Sequence, residues 1–228
     1  GEPALALVAL DRAGVTVGPP SGADLRAPVA DVTVDGLALD PQAVRTGADV
    51  LDHENRAAVA HSLFLDADAV GGASEVIART VRYCRERSQF GRPIGSFQAI
   101  RHRIADASAK VEGARSLLHR SAWGLAAGTA GAEADVVAGR LWSAAAYVSA
   151  VQAAVQCHGG MGFTWEQGVH VFYRAALAGR ARSAEARSRA ALAAHLRSLS
   201  ADAASPDPTP DGSSSADPEL TLVQGGVR

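Results

Sequence analysis

From Phe97 onward the large and small apolar residues fall at Phe97, Ile100, Ile104, Ala107, Val111, Ala114 and Leu118, in steps of three and four. Only an α-helix, at 3.6 residues per turn, brings residues so spaced onto one side. The seam therefore predicts a long helix buried along one stripe, the kind that packs in antiparallel bundles. Val137, Leu141, Ala144, Val148, Val151 and Val155 repeat the rhythm and predict a second such helix, with the turn "AAGTAGAE" at 126–133 between them. The pattern is already helical from about Asp52, which predicts an earlier helix over roughly 53–86. A further helix from near Glu166 to about Leu199 brings the expected count to four. Ser96, after Gly95, stands where a cap for the seam helix belongs.

Ahead of this region the periodicity changes. Residues 5–39 alternate as strands do, in "LALVAL", "VTVGPP" and "VADVTVDGLAL", with Val32 and Val34 on one side and Asp35-Gly36 as a turn. Three short strands cannot make a sheet with both faces covered. Residues 1–45 are therefore expected to be the end of a β-domain whose beginning is absent. The chain opens on Gly1, and a processed or partial product is expected. The expected fold class is mainly α: a four-helix bundle over 46–200, preceded by a few β-strands from an incomplete β-domain. Residues 201–228, rich in Pro, Ser and Asp, have almost nothing to bury and are expected to be disordered.

Composition narrows the function classes. With 47% hydrophobic and 20% charged residues the chain reads as globular, and a net charge of −2 gives no global pull towards nucleic acid. No apolar run approaches the roughly 20 residues that span a bilayer, and no signal peptide opens the chain. Cys84 and Cys157 form no CxxC or paired framework and read as small buried hydrophobes of a reduced protein, so a cytoplasmic location is expected. Residues 79–120 carry a run of arginines that a phosphate backbone could meet. That reading leaves the chain's glycine turn unexplained, and no nucleic-acid partner is expected.

Two stretches carry chemistry. In "RSQFGRPIGSFQ", Arg87 follows a basic helix end, and Phe90-Gly91 and Arg92-Pro93-Ile94-Gly95 break the helix. An arginine at such a corner can hold a phosphate through two parallel hydrogen bonds. Gln89 and Gln98 offer amides for a heterocycle or ribose, and Phe90 can lie against an aromatic ring. The plainer reading is a helix-capping corner with solvated arginines. In "QCHGGMGFTWE", residues 156–166, the glycines 159, 160 and 162 permit positive φ and close approach of another molecule. Successive N–H groups in such a turn favour an anion such as a pyrophosphate. Here the plainer reading is a helix–helix turn that needs glycine for geometry alone. No strand precedes these glycines and the spacing is not GxGxxG, so a Rossmann site is excluded. Cys157, His158 and His170 lack ligand spacing for a metal, and no GxSxG elbow offers a serine nucleophile.

Together these motifs resemble the acyl-CoA dehydrogenase family. "RSQFGRPIGSFQ" is similar to its R-x-x-F-G…FQ corner and "QCHGGMGF" to its Q-x-x-G-G-x-G turn, in the same order and with two long helices between. The resemblance covers about residues 5–200. It implies the last strands of a middle β-domain followed by a C-terminal four-helix bundle, and FAD as cofactor. It implies that Arg87, Gln89 and Phe90 contact the flavin's phosphates and adenine end, and that Gln98, Gln156, His158, Gly159 and Gly160 make further adenosine and pyrophosphate contacts. These contacts belong largely to a neighbouring subunit's flavin, so a homo- or hetero-oligomer through the bundle is implied. An acyl-CoA substrate and electron-transfer flavoprotein as acceptor follow from the same resemblance.

The pattern departs from the family at the base that takes the substrate's α-proton. Relatives carry a glutamate in a "YEGT"-like stretch after the glycine turn, where this chain reads "YRAALAGRARSAEARSRA". Another branch places it early in the first bundle helix, and counting back from Arg87 lands near His61, in "AAVAHSLFL". Asp68, two turns further on, and Glu166 are the acids that remain to take the role. The expectation is that neither does, and that the chain resembles one subunit of the heteromeric actinobacterial enzymes in which a partner supplies the base.

Overall fold

The structure, a computed structural model, describes residues 4–27, 29–47 and 49–183. Four helices dominate it: α1 (Asp49–Glu86), α2 (Gln98–Ala127), α3 (Ala132–His158) and α4 (Val169–Ser183). The seam residues of α2 do face the interior, with Ala107, Val111 and Ala114 buried. α3 lies at the centre, packed against α1, α2 and α4, which is why it is apolar nearly all round rather than along one stripe. Val76, Val111, Val151 and Val169 form the middle of the core with Ala73, Ala114, Ala150 and Ala154. Each buried valine contributes roughly 1.5–3 kcal/mol. The alanines let the helix axes approach closely. At Gly72 even alanine is too large, since a Cβ there would lie 2.5 Å from the Tyr147 hydroxyl.

The helix boundaries show where local signals mislead. Ser96 does not cap α2. It ends a 3-10 turn, Ile94–Ser96, and Phe97 takes the capping position in extended backbone without a side-chain bond. α4 begins at Val169 rather than near Glu166, because Gly168 adopts φ 63° and interrupts helical backbone just ahead of it. Gly128, at φ 64°, closes α2 by donating its N–H to the Gly124 and Leu125 carbonyls. The expected run of the fourth helix to Leu199 and the tail at 201–228 lie outside the described residues. Among the described residues no helix is long and apolar enough to cross a membrane.

Ahead of the bundle, β1 (Ala4–Ala6) pairs antiparallel with β4 (Val44–Thr46), and β2 (Val15–Val17) with β3 (Val32–Val34). Val32 and Val34 remain 49% and 57% exposed, so these ribbons bury little of their own. The segment between β2 and β3 is tied to the bundle instead. Arg26 bonds Asp24 and reaches Asp68 on α1, while Arg174 of α4 donates to the Ala23 carbonyl at 2.7 Å.

Candidate functional site

α1 stops at Glu86, and the chain reverses through a minimal hairpin, β5 (Ser88–Gln89) against β6 (Arg92–Pro93). Its two-residue loop, Phe90–Gly91, has φ 53° and 78°. Positive φ at both positions is the pattern of a type I′ turn, which favours Asn-Gly and strains a phenylalanine. Phe90 is nevertheless there and 92% exposed. Its ring meets Phe97 edge-on at 6.2 Å, and the Arg92 guanidinium lies over the Phe97 ring at 4.2 Å. Strained, exposed aromatic side chains persist where a site needs them. Two backbone bonds hold the corner: Arg87 N–H to the Tyr83 carbonyl at 2.9 Å, and Ile94 N–H to the Arg87 carbonyl at 2.8 Å. Beneath it, Ile94 packs with Cys84 and Cys157.

At the end of α3 each glycine serves a different need. Gly159 takes φ 60° and closes the helix on the Val155 carbonyl. A Cβ on Gly162 would come within 3.2 Å of the Val155 Cα, so glycine there eases a tight helix contact. Gly160 faces open space and bares its backbone. Of the three, only Gly159 uses positive φ.

The corner and the turn lie side by side. They wall a groove of about 650 Å³ lined by Tyr83, Arg87, Gln89, Phe90, Phe97 and the run from Gln156 to Met161, among others. Seven of the residues singled out from sequence thus share one surface: Arg87, Gln89, Phe90, Gln156, His158, Gly159 and Gly160. Gln98, exposed at the start of α2, is not part of the groove wall.

Electrostatically the groove pairs an available cation with neutral neighbours. Arg87 is exposed and makes no ion pair among the described residues. His158 is buried, stacks on Tyr83 at 4.2 Å and donates from Nδ1 to the Ala154 carbonyl at 2.8 Å. Burial lowers its pKa, with the Ala154 bond only partly opposing, so the ring is neutral with Nε2 as its acceptor nitrogen. The Cys157 thiol is pushed up to about 12 by burial beside Cys84, whose own thiol is raised for the same reason. Neither is a nucleophile.

The acids lie elsewhere. Asp68 is exposed on α1, with both oxygens bonded to Arg26 at 3.1 and 2.9 Å. Glu166 is exposed in the turn ahead of α4, and His61 is exposed on α1. Sequence reasoning passes over Asp66, the one fully buried acid of α1. It accepts a hydrogen bond from Ser143 Oγ at 2.8 Å and faces Arg140 Nη1 at 3.6 Å. Burial pushes its carboxyl up to about 6 against the pull of Ser143 and Arg140. The available signal is its place on the helix stripe, in step with Ala69, Ala73 and Val76.

The family model for the acyl-CoA dehydrogenase C-terminal domain matches residues 57–182. The chain belongs to the acyl-CoA dehydrogenase family. Among relatives of this family, acyl-CoA dehydrogenase IpdE2 of Mycolicibacterium smegmatis is 36% identical over 115 residues, 50% of this chain and 35% of that protein. Acyl-CoA dehydrogenase FadE27 of Mycobacterium tuberculosis is 38% identical over 104 residues, 42% of this chain and 28% of that one. The ChsE4–ChsE5 complex from Mycobacterium tuberculosis superposes with a TM-score of 0.72 at 29% identity, over 89% of this chain and 52% of the matched chain. Butyryl-CoA dehydrogenase from Megasphaera elsdenii, at 20% identity and a TM-score of 0.75 over 81% of this chain and 49% of that one, shares the fold. The chain spans about half the length of these solved chains and about a third of the curated relatives.

Proposed function

We propose that this chain is part of an FAD-dependent acyl-CoA dehydrogenase that forms an α,β double bond in an acyl-CoA thioester of lipid or steroid catabolism. In this reading its groove holds the pyrophosphate and adenosine of a flavin shared across a subunit interface. The observation that carries it is the meeting of the Arg87 corner and the glycine turn in one groove. The residues fit the cofactor. Arg87 offers a guanidinium with two parallel donors for a phosphate, Phe90 presents an open ring for stacking, and Gly160 exposes its backbone without a side chain in the way. Bound FAD would supply the hydride acceptor. This chain's part is to grip and orient its far end, with the α1–α3 contact beneath the groove keeping the grip rigid.

The α-proton is taken by a carboxylate of a partner chain. Two placements support this: Asp68 is engaged by Arg26, and Asp66 is sealed inside the bundle. That a related protein was solved as the ChsE4–ChsE5 complex favours a hetero-oligomer. Electron-transfer flavoprotein is the acceptor in this reading. The alternative is an assembly subunit whose role ends at completing its neighbour's flavin site.

The test is Arg87→Ala in the complex with its partner chain. Losing a charge-assisted hydrogen-bonded pair costs roughly 1.5–3 kcal/mol, or about one to two decades of flavin affinity. Flavin content is read from visible absorbance after dialysis. Unchanged retention removes the assignment. An acyl-CoA reduction assay with an artificial acceptor tests the source of the base: the complex is expected to turn over, and a turning-over homomer of this chain would show that it carries its own base.

A further inference from the structure

Along α2, Arg103, Asp106 and Lys110 follow one another in steps of three and four, which puts them on one face of the helix. Opposite them on α3 stand Ser149 and Gln152, and the two helices leave a cleft of about 410 Å³ between these faces. The buried residues that line it, Ala107 and Ala153, are alanines, so no large side chain fills the space. The cleft adjoins the flavin groove, since Ala99 lines both, but none of the groove's polar residues reaches it.

The polar groups here are mostly donors. Lys110 Nζ donates to Ser149 Oγ at 3.1 Å. That bond holds the ammonium at the cleft with two protons to spare, and leaves the serine hydroxyl its own proton to give. Arg103 makes no hydrogen bond or ion pair among the described residues, not even with Asp106 one turn on. Two fixed cations therefore face one carboxylate, and the lining is positive. The chemistry of the donors selects the ligand. A phosphate monoester carries close to two negative charges and three terminal oxygens, enough for a guanidinium fork, an ammonium and a hydroxyl together. A carboxylate ligand brings one charge and two oxygens and leaves donors unmatched.

We propose that the α2–α3 cleft is an anion site separate from the groove, and that it binds a phosphate monoester through Arg103, Lys110 and Ser149. The site stands on the cleft alone, whether or not the groove holds a flavin.

Thermal unfolding of the full chain in rising concentrations of glycerol 3-phosphate tests it, with sodium chloride holding the ionic strength constant. A ligand that binds the folded chain raises the midpoint as its concentration rises. Replacing the two cations together, Arg103→Gln with Lys110→Gln, is expected to demand about tenfold or more ligand for the same rise. Asp106→Asn removes the opposing charge and is expected to need a few-fold less ligand than the wild type. The general stabilising action of phosphates on proteins does not depend on these side chains. An undiminished rise in the double variant therefore overturns the proposal. Loss of the rise in Arg87→Ala, with the double variant unaffected, overturns it too and places the anion in the groove. Sodium acetate that matches glycerol 3-phosphate at equal concentration overturns the choice of ligand, as does a rise with inorganic phosphate and none with the monoester.

Discussion

Replacing Asp66 with asparagine keeps the shape of the side chain and its acceptor for Ser143 while deleting one buried charge. The consequence is a change in how stability depends on pH. Burial holds the folded carboxyl at about 6, against 3.8 for the free side chain. Between those values the native carboxyl keeps a proton that the unfolded chain has released, so the native state binds more protons and stability falls as pH rises. The contribution is full below 3.8 and gone above about 6. At 1.36 kcal/mol per pH unit the window amounts to roughly 3 kcal/mol. Arg140 stays cationic throughout, so within the pair only the carboxyl titrates. His158 acts with the opposite sign. Burial depresses its pKa, so the unfolded chain takes up the proton first and stability is lost as pH falls through 6.5 and below. The wild-type profile is therefore a difference of two slopes, and subtracting the Asp66→Asn profile isolates one of them. Urea unfolding followed by far-ultraviolet circular dichroism, in steps from about pH 4 to about pH 7, measures both. The variant should gain on the wild type as pH rises, by up to roughly 3 kcal/mol. Profiles that run parallel would refute the burial argument for this carboxyl.

Gly72→Ala drives a Cβ to 2.5 Å from the hydroxyl of the buried Tyr147, so the tyrosine or the helix must shift. Overpacking of roughly 1–3 kcal/mol outweighs the about 1 kcal/mol that alanine gains over glycine in a helix, and the unfolding midpoint should drop. Phe90→Gly relieves the positive-φ strain of the hairpin and should raise stability by about 1 kcal/mol, while flavin retention in the complex declines. A variant that is no more stable, or one that keeps its flavin as well as wild type, contradicts the strained-clamp reading.

The bundle was legible because helical periodicity is short-ranged: the α2 seam states its own buried face within seven turns of chain. What depends on contacts between distant residues was not. β4 is three residues of unremarkable sequence whose partner β1 lies some forty residues earlier, and no local alternation marks it. Ser96 looks like a cap, but the Ile94–Ser96 segment tightens into a 3-10 turn and hands the position to Phe97. The corner and the glycine turn could each be named from composition, yet their union in one groove depends on how α1 and α3 end beside each other. Gln98 does not line the groove, although its neighbours Phe97 and Ala99 do. Asp66 was missed because an acid is read as surface by default, although its step along the α1 stripe marks it as interior.

The bond from Arg174 to the Ala23 carbonyl joins residues 151 positions apart, and it orders events during synthesis. The segment around Ala23 leaves the ribosome well before the helix that anchors it. At about 5–20 residues per second, the delay before Arg174 is added is roughly 8–30 s. The early strands bury little of their own and spend that interval with only the Arg26–Asp68 tie to α1. Mistakes in strand pairing are thus exposed to proteases and chaperones for many seconds, and α4 acts as the latch that ends the exposure.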